Sequence, residues 1–211
     1  MVSAWRAGAG VVKNKPLRRL TAMTKRVATT NNAYTFVGGD HGQWKVAKIT
    51  PVRGAGIDHA AKVDVVNAYL AALPAGGKWL LRGVTSNLRY TTRPEKARLS
   101  AVQPPLDRRE ATLAALIPIK KSVAWWELAQ DERRRIFEEV SRHTATGLQF
   151  LPAVARRLHH SRDLNEPFDF LTWFEYAPEH EAAFENLVAQ LRASEEWRYV
   201  EREVDIRLIR V

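Results

Sequence analysis

The chain has 211 residues, contains no cysteine and carries a formal net charge of +10 at pH 7. This length suits one sizeable domain or two small ones that share a core, and 45% hydrophobic residues is ordinary for a globular protein. The lack of cysteine excludes disulfides, iron–sulfur clusters, thiolate zinc sites and covalently attached c-type haem. Any metal must therefore be held by histidine or carboxylate side chains.

The positive charge is concentrated in residues 1–33, which contain seven lysines and arginines and no acid, so the rest of the chain carries only +3. No aromatic residues are interleaved with the later charges and no binding motif is present, so we expect no nucleic-acid partner. The segment lacks the apolar core of a secretory signal, and no stretch approaches the roughly twenty apolar residues of a membrane span. We expect a disordered leader, no membrane partner and a cytoplasmic location, with a periplasmic one left open.

The elements predicted from hydrophobic pattern and turn residues divide the rest of the chain into two halves. In residues 34–110 they are strands at 34–37 and 44–49, a short helix at 60–73 and a strand at 79–84. In residues 111–211 they are a strand at 111–120, helices over 122–149, strands at 153–160 and 168–176, a helix at 178–193 and a strand at 197–211. The second order, βαββαβ, predicts a ferredoxin-like half that follows a smaller, truncated and related α+β half. The predicted fold class is α+β.

Two inward-facing polar residues are the first candidates for chemistry. His143 shares a helical stripe with Ile136, Val140 and Gly147, so it should face the interior. Taken alone, such a histidine is more often bonded to a backbone carbonyl than to a metal. Arg156 alternates with Val154 and Leu158 on one face of a strand, and an inward arginine needs an anion, which can be a structural carboxylate. The residues alone leave both alternatives open.

The pair Trp125-Trp126, which follows Lys120 and Lys121, is the third candidate. One helix face cannot bury two consecutive tryptophans, so the pair marks either a helix start between core and surface or a ring edge with an indole N–H for a ligand. The neighbours His159 and His160 cannot bind one metal from a strand, because they face opposite sides. There is no HExxH spacing and no glycine-rich phosphate loop.

Five segments together resemble the chlorite dismutase family of haem b enzymes. They are Ile117–Trp126, His143–Gly147, Val154–Ser161, Phe170–Glu175 and Glu195–Trp197. The resemblance is close over about the last hundred residues and loose over 34–110. It implies a haem-dependent oxidoreductase that decomposes chlorite to chloride and dioxygen. The short first half resembles the compact branch of the family, which implies a homodimer.

The resemblance also implies roles for individual residues. His143 would be the proximal iron ligand, with Glu196 as its hydrogen-bond partner and the neighbouring Glu195 left open as the alternative. Arg156 would be the catalytic residue on the opposite, distal side. The remaining cofactor-binding residues would be Leu158, Thr172 and Phe174 above the iron, Lys121, Trp125 and Tyr90 at the haem propionates, and Trp126 beside the ring.

One departure from the family and two rival functions accompany this interpretation. The family usually has tyrosine where this chain has His159. A decarboxylase of the same superfamily that acts on coproporphyrin or coprohaem is the alternative enzyme, but such relatives generally lack the distal arginine. A non-catalytic haem-binding protein would need His143 but not Arg156.

Overall fold

Eight antiparallel strands form the centre of the computed structural model, which describes residues 32–85 and 90–211. They are β1 Ala33–Gly39, β2 Trp44–Arg53, β3 Lys62–Val66, β4 Gly77–Val84, β5 Leu113–Lys121, β6 Val154–His160, β7 Phe170–Tyr176 and β8 Val200–Arg210. The helices of the described part are α1 Arg93–Val102, α2 Val123–Glu127, α3 Gln130–Arg134, α4 His143–Gln149 and α5 Glu181–Arg192. The predicted α+β class is confirmed. The prediction for the basic leader lies outside the described residues.

The strands form one closed sheet in the order β1-β3-β2-β8-β5-β7-β6-β4. Each half of the chain contributes four neighbouring strands, and in each half the fourth strand lies beside the first, then the third, then the second. β6 pairs with β7 over its whole length but with β4 only at Val84 and His160. The sheet is therefore continuous across both halves and is thinly joined at the β4–β6 seam.

The alternation of side chains along each strand produces two apolar layers. One face of β5 and β7 points into the closed sheet, where Leu116 and Trp173 join a buried cluster with Phe36 and Ile206. The other face points outward and packs against the apolar stripe of α5, which consists of Phe184, Leu187, Val188 and Leu191. The outer face of the second half is thus the one that meets the helices.

The helix predicted over 60–73 is wrong, because Lys62–Val66 forms strand β3. This segment pairs with β1 along five residues and with the start of β2. Val63 is fully buried inside the sheet, and the β-branched valines of this segment suit a pleated surface better than a helix. Strand pairing on both sides of this short segment outweighs its weak helical pattern.

The helical region predicted over 122–149 is broken into pieces. Arg135–Val140 forms a π-helical turn, and Arg142 adopts a left-handed conformation with φ of 51°. A π turn contains one more residue than an α-helical turn, which shifts the following side chains around the helix axis. Val140 accordingly points outward and is 55% exposed, and the helix ends before the left-handed Arg142. The predicted stripe is wrong at Val140, and His143 begins a new helix. The last strand likewise starts at Val200, after a 3₁₀ turn over Glu195–Tyr199.

Helix α1 was not predicted, although the sequence contains its start signal. Thr92 and Glu95 form a capping box around Pro94, in which each side chain bonds the other residue's backbone N–H. Leu99 of this helix is buried. Among the described helices, none is long and apolar enough to cross a membrane.

Candidate active site

A cavity of about 520 Å³ lies between the outer face of β5, β7 and β6 and the helical layer of α1, α4 and α5. Its volume is within the range of roughly 300–1,000 Å³ that is usual for cofactor and ligand sites. The strands contribute alternate residues, and the helices contribute the facing wall. Of the predicted site residues, the ones that line this cavity are Tyr90, Lys121, His143, Arg156, Leu158, Thr172, Phe174 and Glu196.

His143 is the first residue of α4 and is fixed by two carboxylates. The Glu138 carboxylate accepts hydrogen bonds from the backbone N–H groups of Thr144, at 2.8 Å, and Ala145, at 3.3 Å, which caps the helix. The His143 ring stacks on Phe137 at 4.4 Å, and its Nδ1 lies 2.7 Å from Glu196 Oε2. The second ring nitrogen, Nε2, is therefore the one left for a ligand.

Glu196 connects His143 to a buried lysine. Lys121 Nζ donates to Glu196 Oε1 at 2.7 Å, and the two side chains are only 3% and 6% exposed. Burial alone would raise the pKa of the Glu196 carboxyl, but the positive charge of Lys121 and the bond to His143 lower it to about 2. The carboxylate is therefore ionised at neutral pH, and it fixes the orientation of the His143 ring. Glu195 pairs instead with Arg198 near the surface.

Arg156, Leu158, Thr172 and Phe174 form the opposite wall as two cross-strand pairs. Arg156 faces Phe174 across the β6–β7 ladder, and Leu158 faces Thr172. Phe174 is 3% exposed and packs edge-on against Phe184 of α5. The alternation inferred from the sequence therefore does bring these four side chains to one surface.

Among the described residues, Arg156 makes no hydrogen bond or ion pair, which excludes the structural salt bridge that the sequence left open. Its guanidinium reaches α4, where a Cβ added to Gly147 would overlap it. Burial lowers the pKa of Arg156 to about 10, and the charge of Glu138 opposes this shift. The arginine is therefore a cation at neutral pH that faces a cavity without an anionic partner.

The two tryptophans have different environments. Trp125 is 1% exposed, lies under Lys121 at 4.6 Å, and its indole N–H has no acceptor within the described part of the chain. Neither Trp125 nor Trp126 lines the cavity. Trp126 donates to Asp169 Oδ2 at 3.2 Å and stacks on Phe170, which does line it.

Tyr90 stands where the described chain resumes, at the helical side of the cavity. It has a positive φ of 61°, and its ring meets Trp125 and Phe137. Its hydroxyl accepts a hydrogen bond from Arg133 at 3.4 Å. Tyr90 therefore links the buried Trp125 to the helical wall that carries His143.

Several cavity residues were missed by sequence reasoning. They are Leu99, Ser100 and Gln103 from the α1 region, Phe137 and Thr144 beside His143, and Arg157, His160 and Phe170 on the sheet side. The capping box at Thr92 could have revealed α1, and the alternation from Arg156 through Leu158 could have revealed His160. Nothing in the sequence would have indicated Arg157, whose strand position faces the other side of the sheet.

His159 is a buried histidine inside the closed sheet. It is 1% exposed, its Nδ1 lies 3.1 Å from the Leu171 carbonyl oxygen, and Tyr34 and Phe36 pack against its ring. Burial lowers its pKa to about 4, although the hydrogen bond to Leu171 opposes this, and the nearby charge of Arg157 lowers it further. His159 is thus neutral and belongs to the core rather than to the cavity.

Comparisons with known proteins give a consistent result. The chlorite dismutase family model matches residues 72–210. A chlorite dismutase of Ideonella dechloratans is 38% identical over 86 residues, which span 41% of this chain and only 28% of that protein. The dimeric chlorite dismutase of Nitrobacter winogradskyi is 56% identical, with a TM-score of 0.78 over 84% of this chain and 99% of that one. A mutant chlorite dismutase of Candidatus Nitrospira defluvii is 25% identical, with a TM-score of 0.64 over 89% of this chain and 94% of that one. The family match covers more than half of the sequence, and the chain belongs to the chlorite dismutase family.

Proposed function

We propose that this protein is a haem b enzyme that decomposes chlorite to chloride and dioxygen. The observation that carries the proposal is the pairing of His143, tied to Glu196 at 2.7 Å, with the unpartnered cation Arg156 in one cavity. The first residue suits an iron ligand whose ring is held by a carboxylate. The second suits a small anion. Family membership supports both assignments.

The residues of the cavity fit a haem group. His143 offers Nε2 because Nδ1 is engaged, and Gly147 one turn later allows a flat group close to the backbone. The buried indole N–H of Trp125, which lacks an acceptor among the described residues, suits a propionate, and Tyr90 stands beside it. Lys121, expected at a propionate, is instead engaged with Glu196 in this structure, so we assign it to stabilising the charge of that carboxylate. Trp126 would support the ring indirectly through Phe170.

When bound, haem supplies a redox-active, Lewis-acidic iron. The protein's own part is to hold the histidine, attract the anion and exclude water. Arg156 stays charged and presents a planar fork of N–H donors, so it can attract chlorite and then retain the chlorine oxyanion formed next to it. Leu158 and Phe174 shield that space from water, which strengthens the attraction between guanidinium and anion.

The rival functions are less well supported. A decarboxylase that acts on coproporphyrin or coprohaem has no need for an arginine without an anionic partner on the sheet side of the pocket. A non-catalytic haem-binding protein would use His143 and Glu196 but would leave Arg156 unexplained. Of the three candidate functions, only chlorite decomposition therefore gives Arg156 a role.

An oxygen-electrode assay with chlorite, combined with a visible spectrum of the haem-loaded protein, tests the proposal. We expect a Soret band and oxygen release, and no loss of propionate carbon from coprohaem. Arg156→Ala should keep the Soret band, slow oxygen release and let more hypochlorite escape, as measured with a chlorination scavenger. The absence of a Soret band would refute the whole proposal, and unchanged turnover and leakage in Arg156→Ala would refute the role of the arginine.

Two further parts of the proposal concern organisation. The shared strand order of the two halves supports a ferredoxin-like half at 111–211 and a truncated, related half at 34–110. The dimeric Nitrobacter enzyme, which this chain matches over 99% of its length, supports a homodimer. Sedimentation of the haem-loaded protein would test the second point.

A further inference from the structure

Two consecutive arginines of the cavity lack a carboxylate partner. Arg156 and Arg157 both line the 520 Å³ cavity, and neither forms an ion pair with any described residue. All 23 acidic residues of the chain are in the described part, since residues 1–31 and 86–89 contain none. Several other arginines are paired with carboxylates, as in Arg82 with Glu166 at 2.6 Å and Arg192 with Glu203 at 2.6 Å. This wall of the cavity therefore carries two charges that no acidic side chain neutralises.

Arg157 reaches the cavity from an unexpected direction. Strand alternation points it to the inner face of the sheet, opposite to Arg156. There its Nη1 donates to the Tyr34 hydroxyl at 2.7 Å, and its guanidinium lies 5.4 Å from the centre of the Tyr34 ring. Because β4 pairs with β6 only at Val84 and His160, no strand pairing with β4 involves the edge of β6 at Arg157. The side chain can therefore line the cavity as well as the interior.

Arg157 and Tyr34 also line a second cavity, of about 150 Å³, inside the sheet, so the pair forms the wall between the two spaces. The inner space is poorly suited to an anion. Its lining includes Asp107 and Glu175, both within ion-pair distance of Arg210, and the neutral ring of His159. The main cavity is also lined by two carboxylates, Glu196 and Glu203, which are paired with Lys121 and Arg192, but it carries a second unpaired cation, Arg156. An anion drawn to Arg157 would therefore bind on the main-cavity side.

We propose that Arg157 and the hydroxyl of Tyr34 form a second binding site for small monovalent anions, next to Arg156. The hydroxyl that accepts a hydrogen bond from Arg157 keeps its own proton to donate to an anion. Two unpaired guanidiniums that line one cavity with low-dielectric walls concentrate anions more than one does. The site raises the local concentration of the oxyanion, and Arg156 then holds it at the reacting position. This inference extends the proposed function, because it takes the substrate to be an anion.

The test measures ligand binding rather than turnover. Azide, a monovalent anion, and imidazole, mostly neutral at pH 8, are mixed with the haem-loaded protein, and association is followed at the Soret band. Arg157→Gln should lower the azide association rate about tenfold and flatten its dependence on ionic strength, while imidazole binding changes less than about twofold. Arg157→Lys should retain most of the rate, and Tyr34→Phe should lose part of it.

Arg162→Gln is the matched control. Arg162 is also one positive charge close to the end of β6, but it is near Asp169 at 3.5 Å and does not line the cavity. The azide association rate of Arg162→Gln should stay within about twofold of the wild-type rate. The inference is overturned if Arg157→Gln and Arg162→Gln behave alike, or if Arg157→Gln slows azide and imidazole equally. If Arg157→Gln does not fold, the comparison of Arg157→Lys, Tyr34→Phe and Arg162→Gln decides the question.

The same variants separate this inference from the proposed function. A wild-type protein that binds azide in an Arg157-dependent way but releases no oxygen from chlorite would refute the function and keep the anion site. A protein that releases oxygen from chlorite, but whose azide binding does not depend on Arg157, would support the proposed function and refute the anion site. For the protein without haem, the increase in Tm on addition of nitrate reports anion binding in place of the Soret band. We expect this increase in the wild type and in Arg162→Gln, but not in Arg157→Gln.

Discussion

His143 Nδ1 and Lys121 Nζ each lie 2.7 Å from a different oxygen of the Glu196 carboxylate. The Lys121 and Glu196 side chains are almost completely buried, so each charge depends on the other. The lysine compensates the carboxylate, and the carboxylate in turn fixes the His143 ring and its tautomer. These hydrogen bonds join α4, the turn after α5 and strand β5. The position of the His143 ring is therefore coupled to the stability of the fold.

We therefore predict that Glu196→Gln weakens both folding and haem binding. The change leaves Lys121 as a buried cation without a counter-charge, which should lower the free energy of unfolding by roughly 3–5 kcal/mol. Haem affinity should fall by about 10- to 100-fold, and the Fe(III)/Fe(II) potential should rise because the His143 ring loses its anionic hydrogen-bond partner. Urea unfolding, haem transfer and a redox titration measure the three effects.

Glu195→Gln is the natural control for this prediction. Glu195 is the neighbouring acid that the sequence left as an alternative, and its side chain is 37% exposed beside Arg198. We expect wild-type stability, haem affinity and potential. A larger effect from Glu195→Gln than from Glu196→Gln would mean that the carboxylate partner of His143 has been assigned wrongly.

The histidine inside the sheet predicts a particular pH dependence. Burial lowers the pKa of His159 to about 4 from its ordinary value of 6.5. Because the unfolded chain takes up the proton first, stability is complete above pH 6.5 and is lost as the pH falls toward 4, by up to roughly 3 kcal/mol. The contribution of Glu196 changes only below pH 4.5, since its own pKa is lowered to about 2. The interval from pH 6.5 to 5 therefore separates the contribution of His159 from that of Glu196.

Urea unfolding of the wild type and of His159→Phe at pH 7.5 and pH 5 measures this effect. The variant should lose clearly less stability than the wild type between the two values, because it has no imidazole to protonate. His59→Gln, at an exposed position, should keep the wild-type slope. A variant slope equal to that of the wild type would show that another group causes the acid sensitivity.

The sheet wall of the site could be predicted from the sequence, but the helical wall could not. Arg156 and Leu158 were placed on one face by a period of two, and the β6–β7 register brings Thr172 and Phe174 opposite them. His143 was placed on the cavity side by a helical stripe that the structure breaks, since Val140 on that stripe is exposed. Its position depends on the left-handed Arg142 and the Glu138 cap, which no hydrophobic period encodes.

Long-range contacts account for the other differences. Lys121 and Glu196 are 75 residues apart, and only the folded sheet brings them together, so the sequence assigned the lysine to a haem propionate and not to this carboxylate. Arg157 lines the cavity although strand alternation points it to the other face of the sheet, and it lies in β6 close to the thin seam with β4. Local propensity carries no information about either relationship.

Replacing Trp125 by phenylalanine should mainly lower haem affinity, whereas replacing Trp126 should mainly lower stability. The Trp125 N–H is buried without an acceptor among residues 32–85 and 90–211, so Trp125→Phe should cost the haem-free protein little beyond the lost volume. Haem affinity should fall about tenfold or more if that N–H donates to a propionate. Trp126→Phe loses a hydrogen bond to Asp169 and should lower stability more than haem affinity. Thermal unfolding without haem and haem titration separate the two effects, and equal haem affinities would refute the propionate role of Trp125.

Gly147→Ala tests whether α4 forms the floor on which a flat group lies. Alanine favours a helix over glycine by up to about 1 kcal/mol, and the Arg156 guanidinium that the new methyl would meet is the end of a flexible side chain that can move. The Tm of the haem-free protein should therefore stay the same or rise. Haem affinity should fall, because the methyl group occupies the space one turn after His143. Gln149→Ala, at an exposed position on the same helix, should leave haem binding unchanged. If Gly147→Ala binds haem as tightly as the wild type, the cofactor does not approach this part of α4, and the contact between Arg156 and Gly147 is only a packing contact.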